Sequence, residues 1–266
     1  MKSSPSESKN TGRIIQSVDR AARAMLLFLQ EEPELGIKDF ARLLDLPKPT
    51  VHSLVNTLAH HEILVQNPDN SKYRLGPALL RLGLKYVKQS DFLSTINVWM
   101  ERLCYRFRKP VNTCMIVGKQ AIVVYKVTPD EEVTAFPDVG AVVPLHNTAN
   151  GKILAAYSSP ETLAALLDDY PFTGVTDATI TSRKAFDKEL ETVLETGLAF
   201  NREEGLPGIT GISAPIYNHT RQVIASFGIS GDTDWFRSNE KIIVSEIKKT
   251  AMSVSRQLGY PELKYK

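Results

Sequence analysis

Two short amphipathic helices joined by a tight turn are encoded between residues 36 and 64, and this pair constrains the fold more than any other feature. The first helix is predicted to bury four apolar side chains at helical spacing, namely Ile37, Phe40, Ala41 and Leu44. Asp45-Leu46-Pro47 then breaks the helix, and a second begins near Pro47 to Pro49, where proline is tolerated because first-turn N–H groups lack intrahelical acceptors. Such a pair can place its second helix in the major groove of DNA.

The second helix combines an apolar stripe with a polar face. The stripe consists of Val51, Leu54, Val55 and Leu58. The polar face carries the expected DNA contacts, which are Lys48, Pro49, Thr50, His52, Ser53 and Asn56. We expect Lys48 to hold phosphate and Asn56 to pair with adenine N6 and N7, because a side-chain amide matches that pattern of donor and acceptor. Thr50, His52 and Ser53 are predicted to share the base readout.

A hairpin follows the helix pair and extends it to a winged helix-turn-helix over residues 13–75. Ile63-Leu64-Val65 and Lys72-Tyr73-Arg74-Leu75 read as two strands around a turn-rich tip. Lys72 and Arg74, on the second strand, are expected to contact phosphate. Arg13 is expected to contact the DNA backbone or minor groove. The alternative is that the pattern belongs to an ordinary helix pair of a small α domain. The hairpin that follows in order makes this alternative weaker.

A first helix precedes the pair. Ser17–Gln30 is predicted to be helical, with Val18, Ala21, Ala22, Met25, Leu26 and Leu29 facing inward. Residues 1–12 are polar, lack the apolar core of a signal peptide, and are expected to be a disordered tail.

Charge and composition set broad limits. Residues 1–90 contain 13 Lys and Arg against 9 Asp and Glu, so the excess positive charge lies in the part expected to meet DNA. That excess is small beside the several phosphates a DNA-binding protein neutralises, and a dimer is therefore expected. No apolar run approaches the roughly 18 residues that span a bilayer, so a cytoplasmic protein without membrane contact is predicted. Cys104 and Cys114 are read as buried free thiols rather than a redox pair.

The rest of the chain divides into a connector and a second domain. Residues 76–90 read as a linker helix with more apolar positions than an exposed helix needs, so part of its surface is predicted to contact a partner subunit. Residues 91–266 mix hairpin-linked strands with helices, which favours an antiparallel sheet with flanking helices and an α+β class. The expected helices are Asn97–Phe107, Gly151–Tyr157, Glu161–Leu167, Phe186–Glu195 and Ser238–Leu258. The expected strands are Thr113–Val117, Ala121–Val127, Val133–Phe136, Leu198–Asn201, Ile209–Tyr217 and Val223–Ser230.

From about Gln16 to Tyr260 the chain resembles the IclR family of bacterial transcriptional regulators. The matching blocks are QSVDRA (16–21), LPKPTVH (46–52), YRLGPALLRLG (73–83), PLHNTANGKILAA (144–156), TIT (179–181), GLAFNREEGLPGI (197–209), SAPI (213–216) and ISGD (229–232). Eight blocks in one order make the resemblance specific. It implies a winged helix-turn-helix, a helical linker used in dimerisation, and a GAF-like C-terminal domain that binds a small effector, often a small carboxylate or an aromatic acid.

The resemblance also implies an effector pocket. Its expected lining is Ala149, Asn150, Gly151, Asn201, Gly211, Gly228 and Ser230. Asn201 stands where the family usually has Asp, Gly211 where Cys is frequent, and Gly228 where Ser is frequent. Two glycines leave room for an effector larger than a two- or three-carbon acid, or they serve strand twist or a bulge. On the DNA face, Pro49 replaces a common Ser and Ser53 a common Arg.

Two other functional classes, an enzyme and a metal sensor, fit the sequence less well. A hydrolase-like enzyme would use Ser213, because Gly211-Ile212-Ser213 resembles half of a nucleophile elbow, with His146 and Glu203 as imagined partners. The second glycine of the elbow is missing, His146 is more simply a satisfied loop histidine, and Glu203 and Glu204 would point to opposite faces of a strand. A metal sensor would need ligands that the histidines and cysteines do not assemble in sequence. No catalytic residues, metal or cofactor are predicted.

The predicted mechanism is allosteric. A small organic acid in the C-terminal cleft would bias two arrangements of a homodimer or homotetramer, and the linker helix would pass this to the recognition helices. On a palindromic double-stranded operator these helices must lie about 34–36 Å apart or a multiple of it. A small rotation would therefore weaken binding.

Overall fold

The computed structural model describes residues 14–29, 33–89, 91–129 and 137–261. The chain divides into two compact units, of which the first ends at Gln89 and the second begins at Ser90. The predicted tail, Arg13 and the predicted strand Val133–Phe136 lie outside the described residues. Among the described helices, none has the length and apolar character needed to cross a bilayer.

The N-terminal unit contains the predicted helix pair and wing. Its elements are α1 (Gln16–Leu26), a 3-10 turn (Leu27–Leu29), α2 (Ile37–Leu44), α3 (Lys48–His60), β1 (Leu64–Gln66), β2 (Tyr73–Leu75) and α4 (Pro77–Gln89). Helix α2 ends at Asp45, whose φ of 54° is left-handed, and Pro47 is the N-cap of α3. Phe40, Val51 and Val55 are completely buried where the two helices meet. The winged helix-turn-helix is confirmed.

The wing has an additional backbone partner that the sequence did not reveal. Strands β1 and β2 are antiparallel, with Leu64 opposite Leu75. Leu35 donates its N–H to the carbonyl of Tyr73 at 2.9 Å and accepts the Tyr73 N–H at 2.8 Å. The wing is thereby joined to the segment that precedes α2. Lys72 lies just before β2 rather than on it, which corrects the predicted position.

The inward face predicted for α1 is wrong in part. Val18, Leu26 and Leu29 are 62%, 58% and 74% exposed, whereas Ala24 is completely buried. Ala21, Ala24 and Met25 of α1 pack in or against the core of this unit, whereas Val18 and Leu26 remain at the surface. Helical periodicity identifies an apolar stripe but does not distinguish a stripe that meets its own core from one that meets another molecule.

The C-terminal unit is an antiparallel five-stranded sheet with helices on both faces. Its elements are α5 (Asp91–Phe107), β3 (Val111–Val117), β4 (Gln120–Val127), α6 (Ala149–Ala156), α7 (Pro160–Leu166), α8 (Arg183–Thr196), β5 (Ala199–Arg202), β6 (Ile209–Tyr217), β7 (Val223–Asp232) and α9 (Thr233–Gln257). The strand order is β4-β3-β7-β6-β5. The predicted α+β class is confirmed.

The two faces of the sheet have different chemistry. Helices α5 and α9 cover one face with a core that includes Ile212, Phe227 and Ile229. Side chains alternate along a strand, so the neighbouring positions of β6 and β7 point to the other face, where α6 and α8 lie. Those positions carry small residues, including Gly211, Ser213, Gly228 and Ser230.

Several element boundaries differ from the predicted ones. Helix α5 begins at Asp91, six residues before the predicted start, and α9 begins at Thr233 rather than Ser238. The early start of α9 follows from its N-cap, because the Asp232 carboxylate accepts the Trp235 N–H at 2.8 Å. The other elements agree with prediction to within a few residues, and Gly197 closes α8 with a φ of 69°.

Candidate functional site

The exposed side of α3 carries the residues predicted to contact DNA. Lys48, Pro49, His52, Ser53 and Asn56 are exposed, and Thr50 is half-buried. The helix is fixed from behind by the buried Val51, Val55 and Leu58. Ser53 donates its hydroxyl to the Pro49 carbonyl at 3.2 Å, so its oxygen faces outward mainly as an acceptor.

Asn56 is oriented by two neighbours. Its Nδ2 donates to Nδ1 of His52 at 3.1 Å, and its Oδ1 accepts from the hydroxyl of Tyr73 at 3.5 Å. The tyrosine is buried in the wing, so the wing reaches the recognition helix through this contact. One amide hydrogen and one oxygen lone pair of Asn56 remain for a base edge, which is the pattern that adenine requires.

The wing combines cations with one anchoring carboxylate. Lys72 and Arg74 are both exposed. Glu34 accepts Nδ2–H groups from Asn67 at 2.9 Å and from Asn70 at 2.7 Å. It thereby links both asparagines of the wing turn to the segment before α2. The hydrogen bond from Asn70, followed by that from Asn67, lowers the pKa of Glu34. This anchor was not predicted, because it joins residues 33 and 36 positions apart.

A cleft of about 460 Å³ opens in the C-terminal unit between the sheet and the start of α6. Six of the seven predicted effector residues line it, namely Ala149, Asn150, Asn201, Gly211, Gly228 and Ser230. Gly151 does not. A Cβ at Gly151 would lie 2.3 Å from the carbonyl oxygen of Pro144, so this glycine allows α6 to pack against the preceding loop.

Two of the predicted polar anchors are partly occupied by the protein itself. Asn150 donates to Oδ1 of Asn112 and accepts the Ser213 hydroxyl at 2.8 Å. Asn201 uses its Oδ1 to accept the N–H groups of Glu204 at 2.8 Å and Gly205 at 3.4 Å. Asn201 retains its Nδ2 for a ligand, whereas Asn150 chiefly joins α6 to the sheet.

The glycines on the sheet face allow close approach rather than adding volume. A Cβ at Gly228 would lie 2.9 Å from the Ile212 carbonyl oxygen and 3.2 Å from the Asn150 side chain. A Cβ at Gly211 would lie 3.2 Å from that of Ser230. At Gly228, therefore, the missing side chain permits close packing against the Ile212 backbone and does not by itself create room for an effector. The bulge proposed as an alternative is not found at either glycine, because the irregularity in the pairing of β6 with β7 lies at Ile216 and Tyr217, whereas strand twist stays a prediction.

The electrostatics of the cleft come from backbone and one carboxylate. Within the described part of the chain, no Lys, Arg or His lines it, and Asp232 is its one ionisable lining residue. The Asp232 carboxylate accepts the Trp235 N–H and forms an ion pair with Lys109 Nζ at 3.4 Å. The hydrogen bond from Trp235 is the largest cause of the lowered pKa of Asp232. Thr148, Ala149 and Asn150 bring the N-terminus of α6 to the cleft, with its outward N–H groups and positive dipole end.

Sequence reasoning missed several lining residues. Asn112 comes from β3, Val175 from the loop before α8, and Leu206 from the loop after β5. Asn147 also lines the cleft, and its neighbours in the PLHNTAN block were the only signal that could have indicated it. The others lie far away in sequence and are brought together only by the fold.

The residues of the hydrolase alternative do not form a catalytic set. Ser213 is completely buried in β6, where its hydroxyl contacts Asn150 and the Phe227 carbonyl. His146 donates from Nε2 to the Thr173 carbonyl at 3.0 Å and contacts the Tyr170 hydroxyl through Nδ1 at 2.8 Å, as a satisfied loop histidine does. Glu203 and Glu204 do not share a strand, because β5 ends at Arg202 and Glu203 has a φ of 62°.

Both cysteines are buried and neither forms a disulfide, as predicted. Burial raises the pKa of Cys114 to about 12, which keeps it protonated. In the described parts of the chain, no three His, Cys, Asp or Glu side chains converge as a metal site would need.

Comparison with known families decides among these classes. Residues 84–256 match the family described as bacterial transcriptional regulator IclR C-terminal, and residues 17–68 match the IclR helix-turn-helix domain.

The chain belongs to the IclR family.

Individual IclR proteins agree over nearly the whole chain. The HTH-type transcriptional regulator XynR of Escherichia coli K12 is 34% identical over 249 residues, which cover 93% of this chain and 99% of that protein. The crystal structure of an IclR transcriptional regulator from Silicibacter sp. TM1040 has a TM-score of 0.82 at 24% identity, and the match covers 92% of this chain and 97% of that one. An IclR homolog from Microbacterium hydrocarbonoxydans, solved in complex with 4-hydroxybenzoate, has a TM-score of 0.78 at 23% identity, with 91% and 98% covered.

Membership of the IclR family defines the class of function. The protein is a DNA-binding transcriptional regulator with a ligand-binding C-terminal domain, and it is not an enzyme. The hydrolase alternative built on Ser213 is thereby rejected.

Proposed function

We propose that this protein represses a catabolic operon by binding a palindromic operator as a dimer or a pair of dimers, and that a small organic acid in the C-terminal cleft controls this binding. The DNA contacts would come from Lys48, Pro49, Thr50, His52, Ser53 and Asn56 on α3, from Lys72 and Arg74 on the wing, and from Arg13. The exposed polar side of α3, held by its buried stripe, supports this assignment.

The effector proposal rests on the volume and the apolar lining of the cleft. A cavity of about 460 Å³ exceeds what a two- or three-carbon acid fills, and its predominantly apolar lining suits an aromatic or larger carbon skeleton. The N-terminus of α6 offers backbone donors and positive potential to one anionic group. A carboxylate held there needs no cationic side chain, in agreement with the absence of one among the described lining residues.

The polar contacts proposed for the acid follow from this arrangement. The carboxylate would sit at Ala149 and Asn150, while Asn201 Nδ2 and the Ser230 hydroxyl would contact a second polar group. Gly211 and Gly228 would form a flat floor beneath the carbon skeleton, and Gly151 would keep α6 in position without touching the ligand.

A thermal-shift screen of the purified protein tests the effector proposal. The panel contains aromatic acids, sugar acids and small carboxylates, and 4-hydroxybenzoate comes first because an IclR homolog was solved with it. A true ligand at a hundredfold excess over its Kd adds about 2.7 kcal/mol of apparent stability. The matched neutral amide or alcohol of each hit serves as the control, because it cannot place an anion at α6.

The operator proposal is tested with the same material. DNA selected from random duplexes by the full-length protein should contain inverted repeats whose half-sites are about one helical turn apart or a multiple of it. A gel shift with and without the acid then gives the sign of regulation. Selection of non-palindromic DNA would contradict symmetric binding, and an acid that stabilises the protein without changing DNA affinity would contradict control of the operator.

A further inference from the structure

Lys152 is an almost fully buried cation whose contacts the cleft chemistry does not explain. The residue is 1% exposed and lies on α6, about one turn after Ala149 and Asn150, which line the cleft. Its Nζ donates to Glu204 Oε1 at 2.7 Å, to Glu189 Oε1 at 2.8 Å and to the Phe200 carbonyl at 2.8 Å. All three ammonium hydrogens are thus used, and Lys152 itself is not among the lining residues.

Glu204 connects this ammonium to the loop that forms one wall of the cleft. The loop runs from Glu203 to Gly208, and its Gly205 and Leu206 line the cavity. The Glu204 N–H is held by Asn201, and its carbonyl accepts the Thr179 hydroxyl at 2.7 Å. Glu204 therefore joins the loop to β5 and to the segment that contains Val175.

The charge balance makes Glu204 dependent on Lys152. Glu204 is 8% exposed, and its Oε2 is buried without a hydrogen-bond partner among the residues described. Its Oε1 also accepts the Arg202 N–H at 3.3 Å. Removing the cation from a buried ion pair is strongly destabilising, because it leaves the buried carboxylate without a compensating charge. Glu189 also contacts Lys152, but its side chain is 30% exposed and belongs to α8, no residue of which lines the cleft in the described structure.

We propose that Lys152 and Glu204 are positioning residues of the effector site: their buried ion pair holds the loop of residues 203–208 against α6 and so sets effector affinity without touching the effector. This inference rests on the proposed effector function. The ion pair joins the helix that would hold the acid to the wall that would cover it. A ligand that needs both elements gains affinity when the protein has already ordered them.

Two chemically identical substitutions around one ammonium separate positioning from general stability. Glu204→Gln and Glu189→Gln each remove one negative charge from a contact of Lys152. Only Glu204 belongs to the loop that forms the cleft wall. Hydrogen exchange of the unliganded full-length protein reports the loop through the N–H groups of Glu203, Gly208 and Ile209, all of which are hydrogen-bonded within it. Lys152→Met, which removes the cation, is the stronger variant.

We expect exchange over residues 203–209 to rise about tenfold in Glu204→Gln, as loss of a charged hydrogen bond implies, and to stay within twofold of wild type in Glu189→Gln. Affinity for the best acid of the screen should fall by a similar factor only in Glu204→Gln. Operator affinity without acid should be unchanged in both, which a general unfolding of the domain would not allow.

Equal exchange in the two variants, or faster exchange spread over α6 and α8 in both, would overturn the proposal. If no acid in the panel binds the wild-type protein, the effector proposal fails, while the exchange measurement still decides whether the ion pair holds the loop. If Lys152→Met does not fold, Glu204→Gln decides alone, because it retains the ammonium and its Glu189 partner.

Discussion

Asn56 occupies the point where recognition helix and wing meet. Its two internal contacts, to His52 and to the buried Tyr73, restrict the rotation of the amide before any DNA is bound. A side chain held near its productive orientation loses less conformational entropy on binding. At the scale of single residues, the base contact proposed for Asn56 would come from a side chain that both its own helix and the wing orient.

Replacing this amide should relax specificity. Asn56→Ala would remove the proposed bidentate base contact, and a contact of this kind is worth about 1–3 kcal/mol of discrimination at one base pair. We expect the selected operator to lose affinity while binding to random duplex stays unchanged. Competition gel shifts measure both quantities, and Tyr73→Phe is a milder companion that keeps the amide but removes its hydroxyl neighbour. Equal losses on both DNAs would assign Asn56 a structural role instead.

A wing cation should behave differently. Lys72→Ala removes one exposed charge, so binding to all sequences should weaken, and the slope of log affinity against log salt should flatten by about one. The exposed Lys85 of the linker helix provides a matched control, since Lys85→Ala makes the same change in charge outside the wing. A loss confined to the operator would contradict a phosphate contact by Lys72.

At the scale of elements, the wing is an assembly of three chain segments rather than a hairpin alone. Leu35 pairs with Tyr73 through the backbone, and Glu34 binds both asparagines of the turn. Both residues precede α2, so the wing and the helix pair are ordered together. The turn sequence predicted a hairpin, but nothing in it indicated this support.

Acid should loosen the wing through Glu34. Because hydrogen bonds lower the pKa of Glu34 in the folded protein, its stabilisation is complete above the ordinary glutamate pKa and is lost as the pH falls through the lowered one. The side-chain NH₂ resonances of Asn67 and Asn70 should move together in this acidic range. In Glu34→Gln that transition should disappear, whereas Asp69→Asn, on the same turn, should retain it. A transition that survives Glu34→Gln would assign it to another carboxylate.

The sequence was most informative where contacts are local. The turn at Asp45 to Pro47, the closing Gly197 and the strands β6 and β7 follow from neighbouring residues, and they were predicted well. The orientation of α1 and the contacts of Glu204 behind the cleft wall were not, because each depends on partners distant in the chain. Family resemblance identified six lining residues of the cleft, whereas Asn112, Val175 and Leu206 emerged only from the folded arrangement.

At the scale of the whole molecule, the N-terminal unit carries exposed apolar side chains that its own core does not cover. Ile14, Val18, Leu29, Leu80 and Leu82 are all more than half exposed. Apolar surface of this kind usually marks a contact with another protein. In the proposed dimer, a second copy of the chain would provide that contact, in line with the predicted role of the linker helix.

Introducing charge on this surface should separate the subunits. Leu80→Asp and Leu82→Asp are expected to shift sedimentation toward the monomer and to lower operator affinity at least about tenfold, because two linked half-site contacts become independent. Leu194→Asp, at a 53% exposed leucine of α8, controls for the added charge. An unchanged assembly in the linker variants would place the subunit contact elsewhere.

The sheet floor of the cleft is almost bare backbone, and this has a practical consequence for engineering. Gly228 cannot accept a larger residue without displacing Ile212 or Asn150, so the floor offers little freedom to mutation. The loop residues Val175 and Leu206 line the same cavity and are 55% and 41% exposed, so they can vary without repacking a core. Libraries for a transcription-based biosensor should therefore diversify these loop positions and leave the strands untouched, so that ligand choice evolves while the scaffold keeps its fold.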